Sequence, residues 1–410
     1  MQYIHLYSGL KKDFSYDHEG AYLECGLEQR NVPFTSRARF PLSEDILSED
    51  PPIPAAVGLN GDPSGLQVLI NKADAEIEEN LNFRYPVLLP KGMGRAANVI
   101  IMFHGFNEKH WHKYLPWAAD LALKTNRAVL LFPIAFHMNR APALWNDARA
   151  MNRVSKERKQ RFPSVIGSSL SNVAISTRLH NKPERFIWSG LESYHDVMDL
   201  VESIKKDEHP AIEAEAGMDF CSYSIGTFLG EIIMMTNKNR WFSKSRYATF
   251  CGGPVFNRLS PVSKFILDSE ANVNLYSYLV EHLESHMKNN KALNRFLSGD
   301  YEEGVNFRSL LSYRDNLTYR EEKFRELKDR FYAVALANDE VVPPYEVINT
   351  LKGSRQDIGI RVDVLDFPYA CRHEDPFPAN ARLAAEVDAC FHKTFNRIGE
   401  FLLQPVSSRC

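Results

Sequence analysis

The chain has 410 residues, which exceeds the usual range of one domain and leaves room for a large core with insertions. Hydrophobic residues make up 44% and charged residues 25%, a balance that excludes a disordered or fibrous chain. The formal net charge is −3, so the composition offers no broad attraction to nucleic acid, and we expect no nucleic-acid partner.

The start of the chain lacks the basic stretch followed by an apolar run that a secretory signal needs. No run elsewhere has the length of a membrane span. The six cysteines are scattered without the spacing of a disulfide framework, which favours buried, reduced thiols. We therefore expect a cytoplasmic protein without an integral membrane segment.

Residues 1–80 show no clean periodicity. Proline, glycine and acidic residues recur between positions 41 and 65, a composition typical of loops. We predict a loop-rich N-terminal arm over residues 1–80 and assign no function to it.

The pattern changes at residue 83. Residues 83–90 and 98–103 predict two strands joined by the glycine-containing turn at 91–94. The second run is apolar throughout, which is typical of a strand buried on both faces of a parallel sheet. A helical pattern over residues 111–124 and an apolar run at 128–133 follow. This alternation of strand and helix predicts an α/β sheet.

The next segment, about residues 136–190, is rich in Arg, Asn and Ser and predicts an irregular insertion. Within it, residues 145–149 are interpreted as a salt-bridged loop, with a pocket wall as the alternative. An amphipathic helix is predicted over residues 192–206. A strand at 218–222, a helix at 227–236 and a strand at 246–251 complete the first part of a core that spans residues 81–253.

Residues 254–328 are mostly helical and charged and predict a helical cap insertion. Strands predicted at 331–336 and 360–365, and an amphipathic helix predicted over 380–403, form the second part of the core at 329–410. The predicted fold class is α/β, with a mostly parallel central sheet flanked by helices and a helical cap.

The clearest chemical signal is the sequence S-Y-S-I-G at residues 222–226. It follows a predicted strand and opens a predicted helix, where a sharp turn needs small residues two positions before and after a nucleophilic serine. Ser222 stands where the G-x-S-x-G pattern has its first glycine. Ser224 is the predicted nucleophile, and a tight turn in a nonenzymatic protein is the alternative.

A serine hydroxyl needs a base to take its proton, and the base needs a partner that fixes its tautomer. Among the 13 histidines, His373 lies in the loop between the last predicted strand and the last predicted helix. Asp339 lies at the end of the preceding predicted strand, where it could accept a hydrogen bond from a histidine in that loop. Glu340 is its adjacent competitor. We predict His373 as the base and Asp339 as the acid.

The order Ser224, Asp339, His373, each on a loop after a strand, resembles the α/β-hydrolase superfamily. The resemblance covers residues 83–403 and puts the helical stretch after residue 254 where members carry a cap. The sequence D-E-V-V-P at 339–343 is similar to the acid loop of the family. The resemblance implies an α/β-hydrolase fold, a Ser-His-Asp catalytic triad and no cofactor.

The family also needs an oxyanion hole for the negative charge of the tetrahedral intermediate. The resemblance implies that the backbone amide of Ile225 is one donor. The sequence F-H-G-F-N at 103–107 is similar to the His-Gly loop of the family, which implies Phe106 as the second donor. His104 is expected to hold this loop by a hydrogen bond.

The predicted function is a serine hydrolase that cleaves a small-molecule carboxylic ester or related acyl substrate through an acyl-enzyme. An acyltransferase would use the same residues. A noncatalytic binding or scaffold protein could keep the same fold without turnover.

A metal enzyme is a further alternative. His104, His110 and His112 offer three imidazoles, and His282 and His286 have the spacing of one helix face. Neither set has the accompanying acidic residue in the position that metal sites of these types need. We interpret both sets as structural or solvated histidines.

Overall fold

A computed structural model describes residues 2–18, 20–37, 66 and 70–405. These residues form one nine-stranded sheet in the order β1-β2-β3-β5-β4-β6-β7-β8-β9. The strands are β1 Ala21–Leu23, β2 Leu27–Thr35, β3 Asn82–Pro90, β4 Ala96–Phe103, β5 Ala128–Leu131, β6 Ile212–Tyr223, β7 Tyr247–Phe250, β8 Phe331–Leu336 and β9 Arg361–Leu365. Strands β5, β4, β6, β7, β8 and β9 pair in parallel, whereas β1, β2 and β3 form an antiparallel edge.

The α-helices are α1 Tyr3–Asp13, α2 Glu78–Leu81, α3 Tyr114–Thr125, α4 Ala148–Arg161, α5 Val173–Asn181, α6 Arg185–Lys205, α7 Gly226–Thr236, α8 Ser269–Tyr276, α9 Leu283–Asn289, α10 Lys291–Leu297, α11 Glu302–Ser309, α12 Leu317–Leu327, α13 Pro344–Leu351 and α14 Ala384–Leu403. A π-helical turn at Ser277–Glu281 and short 3₁₀ turns at Asp74–Glu76, Met138–Arg140, Ala143–Asn146, Lys238–Arg240, Phe256–Arg258 and Ala381–Leu383 complete the helical elements.

Helices cover both faces of the sheet. The side chains of β4 are divided between the two hydrophobic cores that result. Val99 and Ile101 belong to the core that includes residues of α6 and α7, while Ile100 and Met102 belong to the core that includes residues of α1, α3 and α14. Successive side chains of a strand point to opposite faces, so an uninterrupted apolar run is needed where both faces are buried. The predicted α/β fold with a mostly parallel sheet flanked by helices is confirmed.

The predicted loop-rich arm is wrong for residues 3–35. Helix α1 packs against α3 and α14, and strands β1 and β2 extend the sheet. Burial alternates along β2, but the sequence does not show a hydrophobic alternation there because Gln29 and Asn31 occupy buried positions. Their side-chain amides donate to the carbonyl oxygen of Ser15 at 2.6 and 2.8 Å. The whole segment at 41–65, on which the prediction rested, lies outside the described residues.

The predicted irregular insertion at 136–190 is also wrong, because α4, α5 and the start of α6 occupy much of it. The buried stripe of helix α4 consists of Met151, Val154, Ser155 and Arg158, and only two of these four side chains are apolar, so hydrophobic periodicity does not reveal it. Arg158 of α4 is buried instead through two contacts with Asp268, at 2.5 and 2.8 Å. Asp147 caps α4 by accepting from the backbone N–H groups of Arg149 and Ala150, so residues 145–149 are not a salt-bridged loop.

The turn at 91–94 joins β3 to β4, but these two strands are not neighbours, because β5 lies between them in the sheet. The insertion at 254–328 is helical as predicted. Its later helices, α11 and α12, pack on α7 at the flank of the sheet. Its first part, residues 256–275, contributes side chains to the space next to Ser224.

Within the described residues, no helix is long and apolar enough to cross a membrane. The five cysteines in this part of the chain are unpaired, and Cys410 lies outside it.

Candidate active site

Ser224, Asp339 and His373 lie at one edge of the sheet. They follow β6, β8 and β9, which are parallel strands, so their carboxyl ends meet at the same edge. In open α/β sheets this edge is where ligands bind. The three residues that the sequence analysis selected are therefore brought together by the strand order.

Ser224 sits on a strained turn between β6 and α7. Its φ angle is +55°, in the left-handed region that non-glycine residues rarely adopt. A β-carbon at Gly226 would lie 2.6 Å from the carbonyl oxygen of His104, so only glycine fits two residues after Ser224. Two residues before Ser224, the hydroxyl of Ser222 donates to the hydroxyl of Tyr247 at 2.8 Å, so serine fits there with its polar group satisfied.

A continuous line of hydrogen bonds joins the three side chains. Ser224 Oγ lies 2.7 Å from His373 Nε2, and His373 Nδ1 lies 2.8 Å from Asp339 Oδ2. The other oxygen of Asp339 accepts from the backbone N–H groups of Val341 and Val342, both at 2.9 Å. Asp339 and His373 are each 7% exposed, whereas Glu340 is exposed. The histidine loop therefore faces Asp339 and not its neighbour.

Tyr223, the residue before Ser224, contacts the loop that carries His373. Its ring lies 5.2 Å from the His373 ring at an angle of 20°, and its hydroxyl donates to the His373 carbonyl oxygen. Lys113 Nζ lies 4.7 Å from the centre of the Tyr223 ring and donates to the carbonyl oxygen of Glu374 at 2.9 Å. Tyr223 and Lys113, which are outside the predicted triad, thus hold the loop that carries His373.

The same lysine is connected to the loop after β4. Lys113 pairs with Glu108, which accepts from the hydroxyl of Tyr114 at 3.0 Å. That hydroxyl accepts in turn from the backbone N–H of Gly105 at 2.8 Å. The loop at 103–107 and the histidine loop therefore share one polar network. Sequence analysis missed this network, since no local pattern marks it.

The loop after β4 also lies against the serine. A β-carbon on Gly105 would be 3.3 Å from Ser224 Cβ, so this loop reaches the turn that carries the serine. Within the described residues, the backbone N–H groups of Phe106 and Ile225 have no hydrogen-bond acceptor. Both predicted oxyanion donors are thus unengaged beside the serine.

His104 holds the loop, as its hydrogen bonds show. Its Nδ1–H donates to the carbonyl oxygen of Gly105 at 2.8 Å, and its Nε2 accepts from the backbone N–H of Ile134 at 2.9 Å. Complete burial lowers the pKa of His104 well below its usual value, so the ring is neutral. Both ring nitrogens are engaged by backbone groups, which leaves none for proton transfer.

No group of three or more His, Cys, Asp or Glu side chains within the described residues is arranged to hold a metal ion. The rings of His110 and His112 stack on each other at 5.2 Å, and His286 stacks on Tyr278 at 4.2 Å.

Two spaces near the site share Phe106 in their lining. The inner cavity has a volume of about 40 Å³ and is lined by Ser224 together with apolar side chains only. The outer cleft has a volume of about 520 Å³, and its lining combines apolar side chains such as Phe265 with charged ones, including Arg372 and Glu374 on either side of His373. Ser224 lines the small apolar space and does not line the outer cleft.

This sheet order, a sharp serine turn after β6, and acid and histidine loops after β8 and β9 define the α/β-hydrolase fold. The protein-family model described as "Family of unknown function (DUF6051)" matches residues 1–403, and the chain belongs to that family. No curated protein matches the chain in sequence.

Several solved structures are distantly similar. Carboxyl esterase 2 of the fungus Tuber melanosporum is 12% identical with a TM-score of 0.43, over 78% of this chain and 82% of the esterase. A thermostable esterase of Pseudomonas putida is 9% identical with a TM-score of 0.40, over 79% and 80%. The peroxisomal alpha-beta-hydrolase Lpx1 of Saccharomyces cerevisiae is 14% identical with a TM-score of 0.38, over 80% and 84%.

Proposed function

We propose that the protein is a serine hydrolase that cleaves a carboxylic ester or a related acyl compound. Ser224 is the nucleophile, His373 the general base and Asp339 the acid that orients the histidine. The observation that carries the proposal is the line of hydrogen bonds from Ser224 through His373 to Asp339, at 2.7 and 2.8 Å, with the serine on a strained turn. This combination is the one that nucleophilic catalysis by serine needs.

The reaction begins when Ser224 Oγ attacks the substrate carbonyl carbon and passes its proton to His373 Nε2. Negative charge then develops on the former carbonyl oxygen, where the amides of Ile225 and Phe106 donate to it. The tetrahedral intermediate collapses, the leaving alcohol takes the proton from His373, and the acyl group stays on Ser224. Water deprotonated by His373 releases the acid in the second half of the reaction.

Asp339 keeps the histidine in the required tautomer. Two backbone amides hold one of its carboxylate oxygens, so the other is directed at His373 Nδ1. Nδ1 therefore carries the proton, and Nε2 is left with a lone pair towards the serine. When His373 becomes charged during the reaction, the buried carboxylate stabilises that charge.

Labelling with a small fluorophosphonate tests the nucleophile, because such probes react with activated serines. We expect wild-type protein to be modified at Ser224, as located by mass spectrometry, and Ser224→Ala to remain unlabelled. Ser222→Ala is the matched control, since its hydroxyl is bound to Tyr247 and does not face the histidine. Folded wild-type protein that is not labelled would contradict the proposal and favour a noncatalytic scaffold.

Product analysis separates hydrolysis from acyl transfer, which uses the same triad. We expect the free acid to accumulate in buffer, and its yield to be unchanged when small alcohols are added at millimolar concentration. Diversion of the acyl group to the added alcohol in place of water would identify an acyltransferase.

A further inference from the structure

Two loops near the candidate active site are hydrogen-bonded to each other. Residues 166–171, between α4 and α5, meet residues 262–269, before α8. The backbone N–H of Ser269 donates to the carbonyl oxygen of Ile166 at 2.9 Å, and the N–H of Ile166 donates to the hydroxyl of Ser269 at 2.9 Å. The two loops therefore form one surface, which we call the loop pair.

The loop pair exposes four large apolar side chains. Ile166 is 68% exposed, Leu170 and Phe265 are each 43% exposed, and Val262 is 37% exposed. Exposed apolar side chains that stand singly are normal on a protein surface, but a group of them on two joined loops marks a contact surface. The loop pair is therefore a candidate for contact with an apolar partner.

Helix α4, which precedes the first of these loops, carries positive charge on its exposed side. Its exposed cations are Arg149, Arg153, Lys156, Lys159 and Arg161. The helix and the loop pair contain two acidic side chains, and each is paired with an arginine of α4. Glu157 lies 3.8 Å from Arg153, and Asp268 is buried against Arg158, which also fastens the helix to the loop pair. This part of the surface is strongly positive, although the whole chain is not.

Cations also flank the apolar side chains of the loop pair. Lys264 precedes Phe265 and is exposed, and the guanidinium of exposed Arg372 lies 6.0 Å from the centre of the Phe265 ring. Glu374 is partly exposed and accepts from the hydroxyl of Ser263 at 2.7 Å. Positive charge and apolar side chains are thus combined on one surface.

We propose that the exposed cations of α4 and the loop pair form a docking surface for a lipid bilayer that contains anionic lipids. The cations are attracted to the negatively charged headgroups. The four exposed apolar side chains enter the boundary between the headgroups and the acyl chains. Each contribution is weak alone, and the two together hold the protein at the bilayer surface.

The aliphatic side chains favour a bilayer over other negatively charged partners. Surfaces that bind single-stranded nucleic acid combine cations with aromatic rings on which the bases stack. Three of the four exposed apolar side chains are aliphatic and offer no flat ring for a base: Ile166, Leu170 and Val262. They gain free energy by leaving water for an apolar phase. A bilayer with anionic lipids supplies both that phase and the negative charge.

The docking surface borders the candidate active site. Ser171 and Phe265 line the outer cleft, and Ile266 and Leu267 line the small apolar space that Ser224 also lines. The loop after β4 is fastened to the same surface, because the side-chain amide of Asn107 donates to the carbonyl oxygens of Ser171 at 3.0 Å and Phe265 at 2.5 Å. Docking would therefore bring the candidate site close to the bilayer.

Co-sedimentation with lipid vesicles tests the docking surface. We expect wild-type protein to sediment with phosphatidylcholine vesicles that contain about 30% phosphatidylglycerol, and to stay in solution with vesicles of phosphatidylcholine alone. Raising the salt from about 0.1 M to about 0.5 M should lower the affinity about tenfold, because salt screens exposed charges. Absence of binding to the anionic vesicles at the lower salt would overturn the proposal. Tighter binding to a single-stranded oligonucleotide than to these vesicles would also overturn it, in favour of a nucleic-acid surface.

Charge reversal on α4 tests the contribution of the cations. We expect the double variant Lys156→Glu/Lys159→Glu to bind the anionic vesicles about tenfold more weakly or worse. Lys244→Glu/Lys328→Glu is the matched control, because it changes the net charge equally. Both control lysines are exposed and precede β7 and β8, at the opposite edge of the sheet from the candidate site. Equal losses in the two double variants would show an effect of net charge only and would overturn the surface.

A leucine substitution tests the apolar side chains. We expect Leu170→Ser to lower the affinity about fivefold or more, because the leucine side chain no longer leaves water. Leu123→Ser is the matched control, since Leu123 is 47% exposed on α3 and lies outside the docking surface. Thermal unfolding would show that the variants are folded. Equal affinities of Leu170→Ser and wild type would overturn the insertion of the loop pair.

Vesicle binding and the proposed hydrolase function are tested separately. Docking needs no nucleophile, so Ser224→Ala should sediment with the anionic vesicles as wild type does. Vesicle binding by protein that is not labelled by a fluorophosphonate would reject the nucleophile and support the docking surface. Labelling at Ser224 without vesicle binding would reject only the docking surface.

Discussion

The ring of Tyr223 lies almost parallel to that of His373, 5.2 Å away at 20°, and the tyrosine hydroxyl donates to the carbonyl oxygen of the same histidine. The residue before the proposed nucleophile therefore supports the residue proposed to activate it. Because Tyr223 is 1% exposed and belongs to β6, it ties the histidine loop to an interior strand of the sheet.

Removing the Tyr223 hydroxyl should loosen the loop that carries His373, because this hydroxyl donates to the His373 carbonyl oxygen. We expect Tyr223→Phe to lower kcat by about tenfold with little change in KM, because a buried hydrogen bond contributes about 1 kcal/mol. Tyr332→Phe is the control, since its hydroxyl donates to Asp363, which has no contact with His373. Steady-state kinetics on both variants is the measurement. A changed KM with an unchanged kcat would argue against a positioning role.

Lys113 joins the histidine loop to the loop after β4, so its loss should affect both. We expect Lys113→Met to lower kcat by about tenfold or more, because Glu108 loses its partner and the carbonyl oxygen of Glu374 loses its donor. Lys113→Arg keeps the charge and should recover much of the rate. The pH profile of kcat/KM should differ between wild type and Lys113→Met, which a loss of stability alone would not produce. Equal profiles and equal kcat would reject the role.

The three residues of the candidate site could be selected from the sequence because their signals are local. The small-residue turn around Ser224 and the positions of Asp339 and His373 after strands are visible in short stretches of sequence. The contacts of Lys113 are not, because they join residues far apart in the chain, and a lone lysine in a helical segment carries no pattern. Its role appears only when the sheet has brought the loops together.

The fold was predictable for the same reason where strands are apolar on both faces, as in β4 and β8. It was not predictable where buried positions carry polar residues. Gln29 and Asn31 of β2 satisfy their amides on the carbonyl oxygen of Ser15, and Arg158 of α4 is buried with Asp268. In each case a partner distant in sequence removes the cost of burial, so hydrophobic periodicity alone misses the element.

Asp339 and Glu340 are neighbours with different surroundings, which makes them a matched pair. We expect Asp339→Asn to lower kcat by about three to four orders of magnitude, because an amide no longer fixes the histidine tautomer. Glu340→Gln should leave kcat within about twofold, since Glu340 is exposed. Circular dichroism would show that both variants are folded before their rates are compared. A large effect of Glu340→Gln with a small one of Asp339→Asn would exchange their roles.

A buried cluster formed by Arg140, Glu192 and Asp196 predicts how the stability of the protein depends on pH. Arg140 is fully buried and contacts Glu192 at 3.0 Å and Asp196 at 2.7 Å. Burial raises the pKa of Glu192 from about 4.5 to about 8, against the opposing effect of Arg140. Between these two values the folded protein holds a proton that the unfolded chain has released, so the free energy of unfolding falls as pH rises.

We therefore expect the melting temperature to decrease between about pH 5 and pH 8, with a slope in unfolding free energy of up to about 1.4 kcal/mol per pH unit from this group. Glu192→Gln has no proton to release and should flatten the decrease. Glu202→Gln, on the exposed side of the same helix α6, should retain it. Thermal unfolding of the three proteins across this range is the measurement. A decrease that is the same in all three would show that Glu192 is not its source.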